Sequence, residues 1–403
     1  MQTTSHASDE SVTQTGAPTE TIAFLLDYAL QNWCSREDYH AGVCQELSAR
    51  GLRPLLVFAK ELPLDVATIF QEKGIEYFTI DYSKGFSHYH RELGNLIRDY
   101  SVTAVHICYF DYFSAIAWMA RIHGVKAIIY EAVNSGAFTA TSWKKFLLRL
   151  RTALMTKPLT RVIAISNFVK LQLIASGIPA EKIDVRYLGI DHHRFVPDTD
   201  AAQRLRSQFA IDSDEVILTT VSFLNPFKNP HIIIKACGLM ARQKIPFRLF
   251  VAGDGPLRQE LEHLSRTLDI ADRVHWLGHV ADPRELLQGS DIFTLASTGE
   301  AFGLVLTEAM GCGLPVVATR SGGIVEIVED QVTGLLMQPH NHEALADAFK
   351  QLIENPELKR TMGAKGRSRV ARMFTIEVVV TNTVRIYESM SLVSHAQEVN
   401  TSR

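Results

Sequence analysis

The chain has 403 residues, 46% of them hydrophobic and 21% charged, and a formal net charge of −3. That length exceeds one ordinary core and fits two domains of roughly 200 residues each. The near-neutral balance gives no global signature of a nucleic-acid ligand, so any basic region has to be argued locally.

Residues 1–20 are polar, rich in Ser and Thr and without an apolar run. They predict a disordered tail, not a signal peptide or membrane anchor. From Thr21 onward short apolar runs alternate with amphipathic stretches. Strands are predicted at 21–26, 54–58, 75–80, 104–108, 127–130, 162–165 and 182–185, with helices at 39–50, 89–100 and 112–123. Near-continuous apolar strands separated by helices predict a parallel sheet covered on both faces. The segment 191–213, with Pro197, a polar stretch and one short helix, separates two domains taken as 21–196 and 214–374, with 197–213 as linker.

The second half repeats the alternation. Strands are predicted at 216–222, 248–252, 274–276, 292–295, 315–318 and 334–337, and helices at 230–243, 257–268, 283–288, 304–311, 324–328 and 342–354. Two more helices follow at 356–373 and 375–390, the last (about 375–391) expected to pack back on the first domain. The fold class is α/β: two doubly wound domains facing across a cleft, with ligands expected beyond the carboxyl ends of the strands.

The five cysteines, Cys34, Cys44, Cys108, Cys237 and Cys312, form no C-x-x-C pair and no zinc spacing. They read as reduced thiols of a cytosolic protein, without a structural metal. No run of 18 apolar residues is present, so no membrane span is predicted.

The most informative stretch is 296–334. It starts at the end of a predicted strand, turns at Gly299 and Gly303, and opens a helix near Leu304. The free N–H groups and dipole of that helix form an anion site suited to a diphosphate. Glu300 precedes the helix and Glu308 lies more than one turn inside it. A carboxylate accepts two hydroxyl hydrogen bonds at once, as vicinal sugar diols require. A lone helix Glu is usually a solvated one; two of them bracketing a Gly turn after a strand favour a ligand that is anionic at one end and a polyol at the other.

The run E-A-F-G-L-V-L-T-E at 300–308, followed by A-M-G-C-G-L-P-V-V-A-T and S-G-G, resembles the E-x7-E signature of retaining glycosyltransferases of family 4, which have the GT-B fold. The resemblance covers about the whole C-terminal half and, more weakly, the N-terminal half. It implies a nucleoside-diphosphate-sugar donor as co-substrate, no further cofactor and no metal. It implies that Glu300 contacts the transferred sugar and Glu308 the ribose, while backbone N–H groups of the turn Ala301–Leu304 reach the sugar and phosphate, with Phe302, Gly303, Leu304 and Val305 as donor-binding residues. The 250–256 run resembles the family's G-x-G-P turn, with Gly253 and Gly255 beside the nucleotide. The 274–280 run resembles the strand and loop that meet the base, at His279 and Val280. Tyr187 to Asp191 with Phe195 resembles the element before the linker.

The 221–229 run, V-S-F-L-N-P-F-K-N, departs from the pattern. Lys228 matches the family Lys that neutralises the leaving diphosphate. Phe223, after Ser222, occupies the position where the family commonly has Arg. A charge-assisted hydrogen bond contributes about 1.5–3 kcal/mol, so its loss costs about 10- to 150-fold unless another group substitutes. Arg258 is one candidate; an exposed helix Arg is the plainer reading.

The first half is less informative. Its first loop, 27–38, has no Gly and offers Tyr28 and Trp33, either as acceptor-stacking aromatics or as packing. Asn134, with Glu131 before it, stands near the place where many relatives carry a His; Asn cannot titrate. In retaining members of the fold the departing phosphate accepts the acceptor proton, so a protein base is dispensable. The 141–161 run holds six Lys or Arg and no acid, interleaved with Trp143, Phe146, Leu147, Leu148, Leu150 and Leu154. It suits peripheral contact with anionic lipid at the inner membrane face. A helix packing its apolar side on the sheet, with a solvated basic edge, is the favoured reading. The chain is thus expected to be a cytoplasmic retaining glycosyltransferase acting on a glycan, lipid-linked or small-molecule acceptor, with no nucleic-acid partner. A degenerate nucleotide-sugar binder, or a phosphorylase or epimerase on the same scaffold, is the alternative.

Overall fold

The computed structural model describes residues 20–28, 35–110, 114–133 and 142–393, without the side chains of 142–146 and 148. Trp33 and Asn134 lie outside the described residues.

The first domain runs β1 (Thr21–Leu26), α1 (Ser35–Ala49), β2 (Arg53–Phe58), α2 (Leu64–Glu72), β3 (Tyr77–Thr79), α3 (Phe86–Asp99), β4 (Val102–Cys108), α4 (Ile116–Ile122), β5 (Ala127–Ala132), α5 (Ser142–Thr156), β6 (Arg161–Ala164), α6 (Asn167–Ser176) and β7 (Ile183–Val185). Its strands pair in parallel in the order β3-β2-β1-β4-β5-β6-β7. In β1, Ala23 and Leu25 enter one core and Ile22, Phe24 and Leu26 the core on the opposite face. A strand buried on both faces has no polar side to show, which is why it reads as an unbroken apolar run.

The second domain runs α7 (Ala201–Phe209), β8 (Val216–Val221), α8 (His231–Arg242), β9 (Phe247–Ala252), α9 (Arg258–Thr267), β10 (Val274–Gly278), α10 (Arg284–Gln288), β11 (Ile292–Leu295), α11 (Leu304–Gly311), β12 (Val316–Thr319), α12 (Ile324–Ile327), β13 (Gly334–Met337), α13 (His342–Glu354) and α14 (Pro356–Met373). Its parallel sheet has the order β10-β9-β8-β11-β12-β13. The helix within the linker, α7, packs Leu205 with Ile217, Phe250 and Leu286 of this domain. The last helix, α15 (Ile376–Ser389), returns to the first domain: Tyr387 Oη lies 2.6 Å from His106 Nδ1, and Tyr39 Oη lies 3.3 Å from Thr383 Oγ1.

Two helices go beyond the sequence expectation. In α2, Val66, Ala67 and Phe70 supply a short buried stripe. In α6, Ser166 caps the first turn by accepting from Val169 N at 3.1 Å. The helix α5 corrects the expectation for 141–161. Thr152 and Thr156 point inward, while Leu147, Leu150 and Leu154 are 50%, 60% and 59% exposed. The leucines lie at i, i+3 and i+7, on the side opposite the two threonines, so the apolar stripe faces away from the sheet.

In both sheets the strand order reverses next to the first strand, between β1 and β4 and between β8 and β11. The loops leaving adjacent strands at such a point diverge and leave a crevice. In the second domain those loops are 222–228 after β8 and 296–303 after β11.

Candidate active site

The turn between β11 and α11 is held by its carbonyls. Gly323 N donates to Glu300 O at 2.7 Å, and Ser166 Oγ, from the first domain, donates to Ala301 O at 2.6 Å. The approach of 322–323 requires glycine: a Cβ on Gly322, which has φ 56°, would sit 2.1 Å from Glu300 O. Gly303 adopts φ 106° immediately before α11, a left-handed conformation that Cβ-bearing residues rarely take. The N–H groups of residues 301–305 have no hydrogen-bond acceptor among the described residues. Five such donors at the start of a helix make a site for an anion.

The loop after β8 brings the cation. Asn225 Oδ1 accepts from Lys228 N at 2.9 Å, and Thr298 N donates to Phe227 O at 3.0 Å, tying this loop to the one after β11. Lys228 Nζ lies 2.5 Å from Glu300 Oε2, with 23% and 14% of the two side chains exposed. The pair stands beside the unpartnered N–H groups, so one small volume holds a cation, a carboxylate and several donors.

Glu308 sits on the second turn of α11, partly exposed as a residue but with its carboxyl well covered. Burial pushes that carboxyl from 4.5 up to about 7, the charge of Asp282 adds to the rise, and Arg194 opposes it. Arg194 spans Asp282 at 3.6 Å and Asp38 of the first domain at 3.9 Å. Neither Asp282 nor Arg194 was singled out in the sequence; their relation to Glu308 exists only in three dimensions.

The remaining expected residues fall as follows. Phe302 is 1% exposed, its ring against Tyr187 and Phe374, each at 5.8 Å, so it offers its backbone and not its ring. Leu304 and Val305 are partly buried. Gly253 N donates to Gly278 O at 2.6 Å, and Asp254 O accepts from Leu224 N at 2.9 Å, which laces the 253–255 turn onto the loop carrying Ser222 and Phe223. His279 is exposed, and Val280 is partly buried against the Phe250 cluster. Phe223 is 58% exposed. Arg258 pairs with Glu262 and lies 5.0 Å over the Trp276 ring, so it does not take the place of the missing Arg.

In the first domain, Tyr28 is not a free aromatic platform. Its ring meets Tyr109 at 4.7 Å and carries the Arg36 guanidinium at 3.9 Å. Glu131 is likewise corrected: β5 places it opposite Cys108 of β4, 1% exposed, with Oε1 at 2.6 Å from Arg186 Nη2. A carboxylate desolvated and paired in this way is part of the interior, not of an acceptor surface. His106, Cys108 and Glu131 come within reach of one ion, a trio invisible in sequence spacing. The Arg186 charge already balances Glu131, and burial pushes the Cys108 thiol up, away from the thiolate that binds metals.

Residues 202–369 match the family described as Glycosyl transferases group 1, and residues 39–194 match Glycosyltransferase Family 4. The chain belongs to the family 4 glycosyltransferases. The N-acetyl-alpha-D-glucosaminyl L-malate synthase of Bacillus anthracis is 35% identical to it over 46% of this chain and 48% of its own. The putative glycosyltransferase EpsD of Bacillus subtilis is 29% identical over 70% of this chain and 76% of its own. For most of the curated relatives it matches, the chain spans about half their length. The crystal structure of Anabaena Alr3699/HepE in complex with UDP and glucose superposes with a TM-score of 0.76 at 21% identity, over 92% of this chain and 100% of that one. The fold is GT-B, with two Rossmann-like sheets facing across the crevice.

Proposed function

We propose that this protein takes a sugar from a nucleoside-diphosphate-sugar and transfers it, with retention of anomeric configuration, to a hydroxyl of a glycan, lipid-linked or small-molecule acceptor. The observation that carries the reading is Lys228 held 2.5 Å from Glu300 beside the open N–H groups of 301–305. The leaving diphosphate takes the cation and the helix N-terminus, which stabilise the negative charge that develops as the C1–oxygen bond breaks. Glu300, released from Lys228 by the phosphate, accepts from hydroxyls of the sugar, and Glu308 accepts from the ribose diol. The acceptor oxygen bonds to C1 on the face the phosphate leaves, and its proton passes to a phosphate oxygen. Lys228 and the backbone dipoles supply the charge that a metal would otherwise bring. The names of relatives support the donor class: solved neighbours hold UDP or UDP-glucose, and one relative is a GDP-mannose-dependent mannosyltransferase.

The test is a thermal-shift screen against UDP-, GDP-, ADP- and dTDP-sugars, followed by transfer assays with and without EDTA. A ligand at 100 times its Kd stabilises by about 2.7 kcal/mol, which such a screen detects. Binding without transfer to any acceptor pool would favour a non-catalytic relative, and no binding at all would refute the donor site. EDTA should leave transfer unchanged.

The outward stripe of α5 favours a lipid-linked acceptor met at the inner membrane face. Leu147, Leu150 and Leu154 are exposed next to exposed Arg149 and Arg151. Leucines that enter an interface beside cations that meet anionic headgroups are the composition of a surface-lying helix. Among the described residues no helix is long and apolar enough to cross a membrane.

A further inference from the structure

We propose that Glu326 is a positioning residue for sugar transfer, acting from α12 across the domain boundary on the donor turn; the inference rests on the reading of that turn as the donor site. The Glu326 carboxylate accepts from Asn167 N at 2.7 Å, Phe168 N at 2.8 Å and Asn167 Nδ2 at 2.9 Å, all in the first domain. These are the free N–H groups that open α6, where an ionised acceptor meets the positive end of the helix dipole. Its own backbone is braced from α14, because Arg369 donates to Glu326 O at 2.9 Å and to Ile327 O at 2.8 Å. The carboxylate therefore docks α6 against a fixed point of the second domain.

What α6 carries is Ser166. Its hydroxyl accepts from Val169 N at 3.1 Å and donates to Ala301 O at 2.6 Å. In a planar trans peptide the carbonyl and the following N–H point in opposite directions. Holding Ala301 O thus sets the direction of the Phe302 N–H, just as Gly323 N, through Glu300 O at 2.7 Å, sets that of the Ala301 N–H. One of these two donors is oriented from its own domain and the other from the opposite one. Tyr187 reinforces the contact: its hydroxyl lies 3.3 Å from Asn167 Nδ2 and its ring stacks on that of Phe302 at 5.8 Å with the planes inclined by 28°. Glu326 keeps α6 docked, Ser166 keeps the Ala301 peptide turned, and the anion site is complete only in this arrangement. Undocking leaves the nucleotide contacts of the second domain in place but loosens the donor that faces the reacting phosphate.

The experiment compares full-length wild type with E326Q, S166A, S166T and the double variant E326Q/S166A. The readouts are UDP and GDP affinity by calorimetry, kcat and donor KM, and radius of gyration by X-ray scattering. In E326Q an amide NH2 replaces one acceptor oxygen against the α6 donors. Expected is a fall in kcat of roughly 10- to 100-fold in E326Q and in S166A, with UDP and GDP affinity falling much less, because only one of the several groups that hold the diphosphate is loosened. The double variant should be no slower than the slower single one, since both act through one element. S166T, which keeps the hydroxyl, should restore kcat, and the unliganded radius of gyration should rise in E326Q. Full kcat in E326Q, single losses that multiply in the double variant, or nucleotide affinity falling in step with kcat would each overturn the proposal. If wild type transfers no sugar, the proposed function fails separately. The clamp is then decided by the radius of gyration together with a stability cycle over the same variants, with additive stability losses and an unchanged radius overturning it.

Discussion

Replacing Glu308 by Gln should stabilise the unliganded protein and weaken nucleotide binding at the same time. The Glu308 carboxyl is raised from 4.5 to about 7, burial being the first cause. A raised acid binds its proton more tightly folded than unfolded. The folded state therefore carries the extra proton between pH 4.5 and about 7, and stability from this group falls as pH rises through that window. At 1.36 kcal/mol per pH unit the interval corresponds to about 3 kcal/mol, and water at the partly exposed residue lowers it to about 2 kcal/mol. Gln fills the same space with no charge to desolvate. Denaturant unfolding of wild type and E308Q from pH 4.5 to 8.5 should give a difference near zero at the acid end, growing to about 2 kcal/mol in favour of E308Q at the alkaline end. The amide has one acceptor oxygen where the carboxylate has two, and the lost charge-assisted bond to the ribose should weaken UDP or GDP binding about 10-fold or more. Stability curves that stay parallel across the pH range would refute the account of burial, and unchanged nucleotide affinity would refute the ribose assignment.

K228A should weaken UDP far more than uridine, by about 10- to 150-fold against no change, because the cation meets the phosphates and not the base; calorimetry with both ligands checks this. G322A places a Cβ 2.1 Å from Glu300 O, so the turn must shift, and donor binding should fall at least about tenfold with a lowered Tm. L150E and L154E, both at exposed positions, should leave Tm unchanged while reducing co-sedimentation with phosphatidylglycerol vesicles; equal sedimentation of wild type with neutral vesicles, or none with anionic ones, would count against membrane docking.

Most of the strands were legible in the chain because both faces of each sheet are covered. The seven-stranded sheet buries β1 completely, and burial on two sides leaves no choice but a continuous apolar run. The turn between β11 and α11 was legible for a different reason. Its donors are backbone groups, its glycines are sterically required, and Glu300 to Glu308 lies within nine residues of one strand-turn-helix unit, so local sequence carries the whole motif. The helix α6 was missed because its start rests on one Ser cap and a carboxylate that comes from 159 residues away.

Sequence alone thus determined the class of fold, the family resemblance and the strand-turn-helix unit that leads into α11, since each depends on periodicity or on neighbours along the chain. Only the tertiary structure decided what the side chains face. It turned Glu131 inward to Arg186, set the leucines of α5 outward, and packed Tyr28 under Arg36. It also surrounded Glu308 with enough covering atoms to lift its carboxyl to about 7 and brought Glu326 onto α6. Desolvation and pairing act through space over a few ångströms, and the partners involved lie on different strands, helices and domains, a separation that no local pattern encodes.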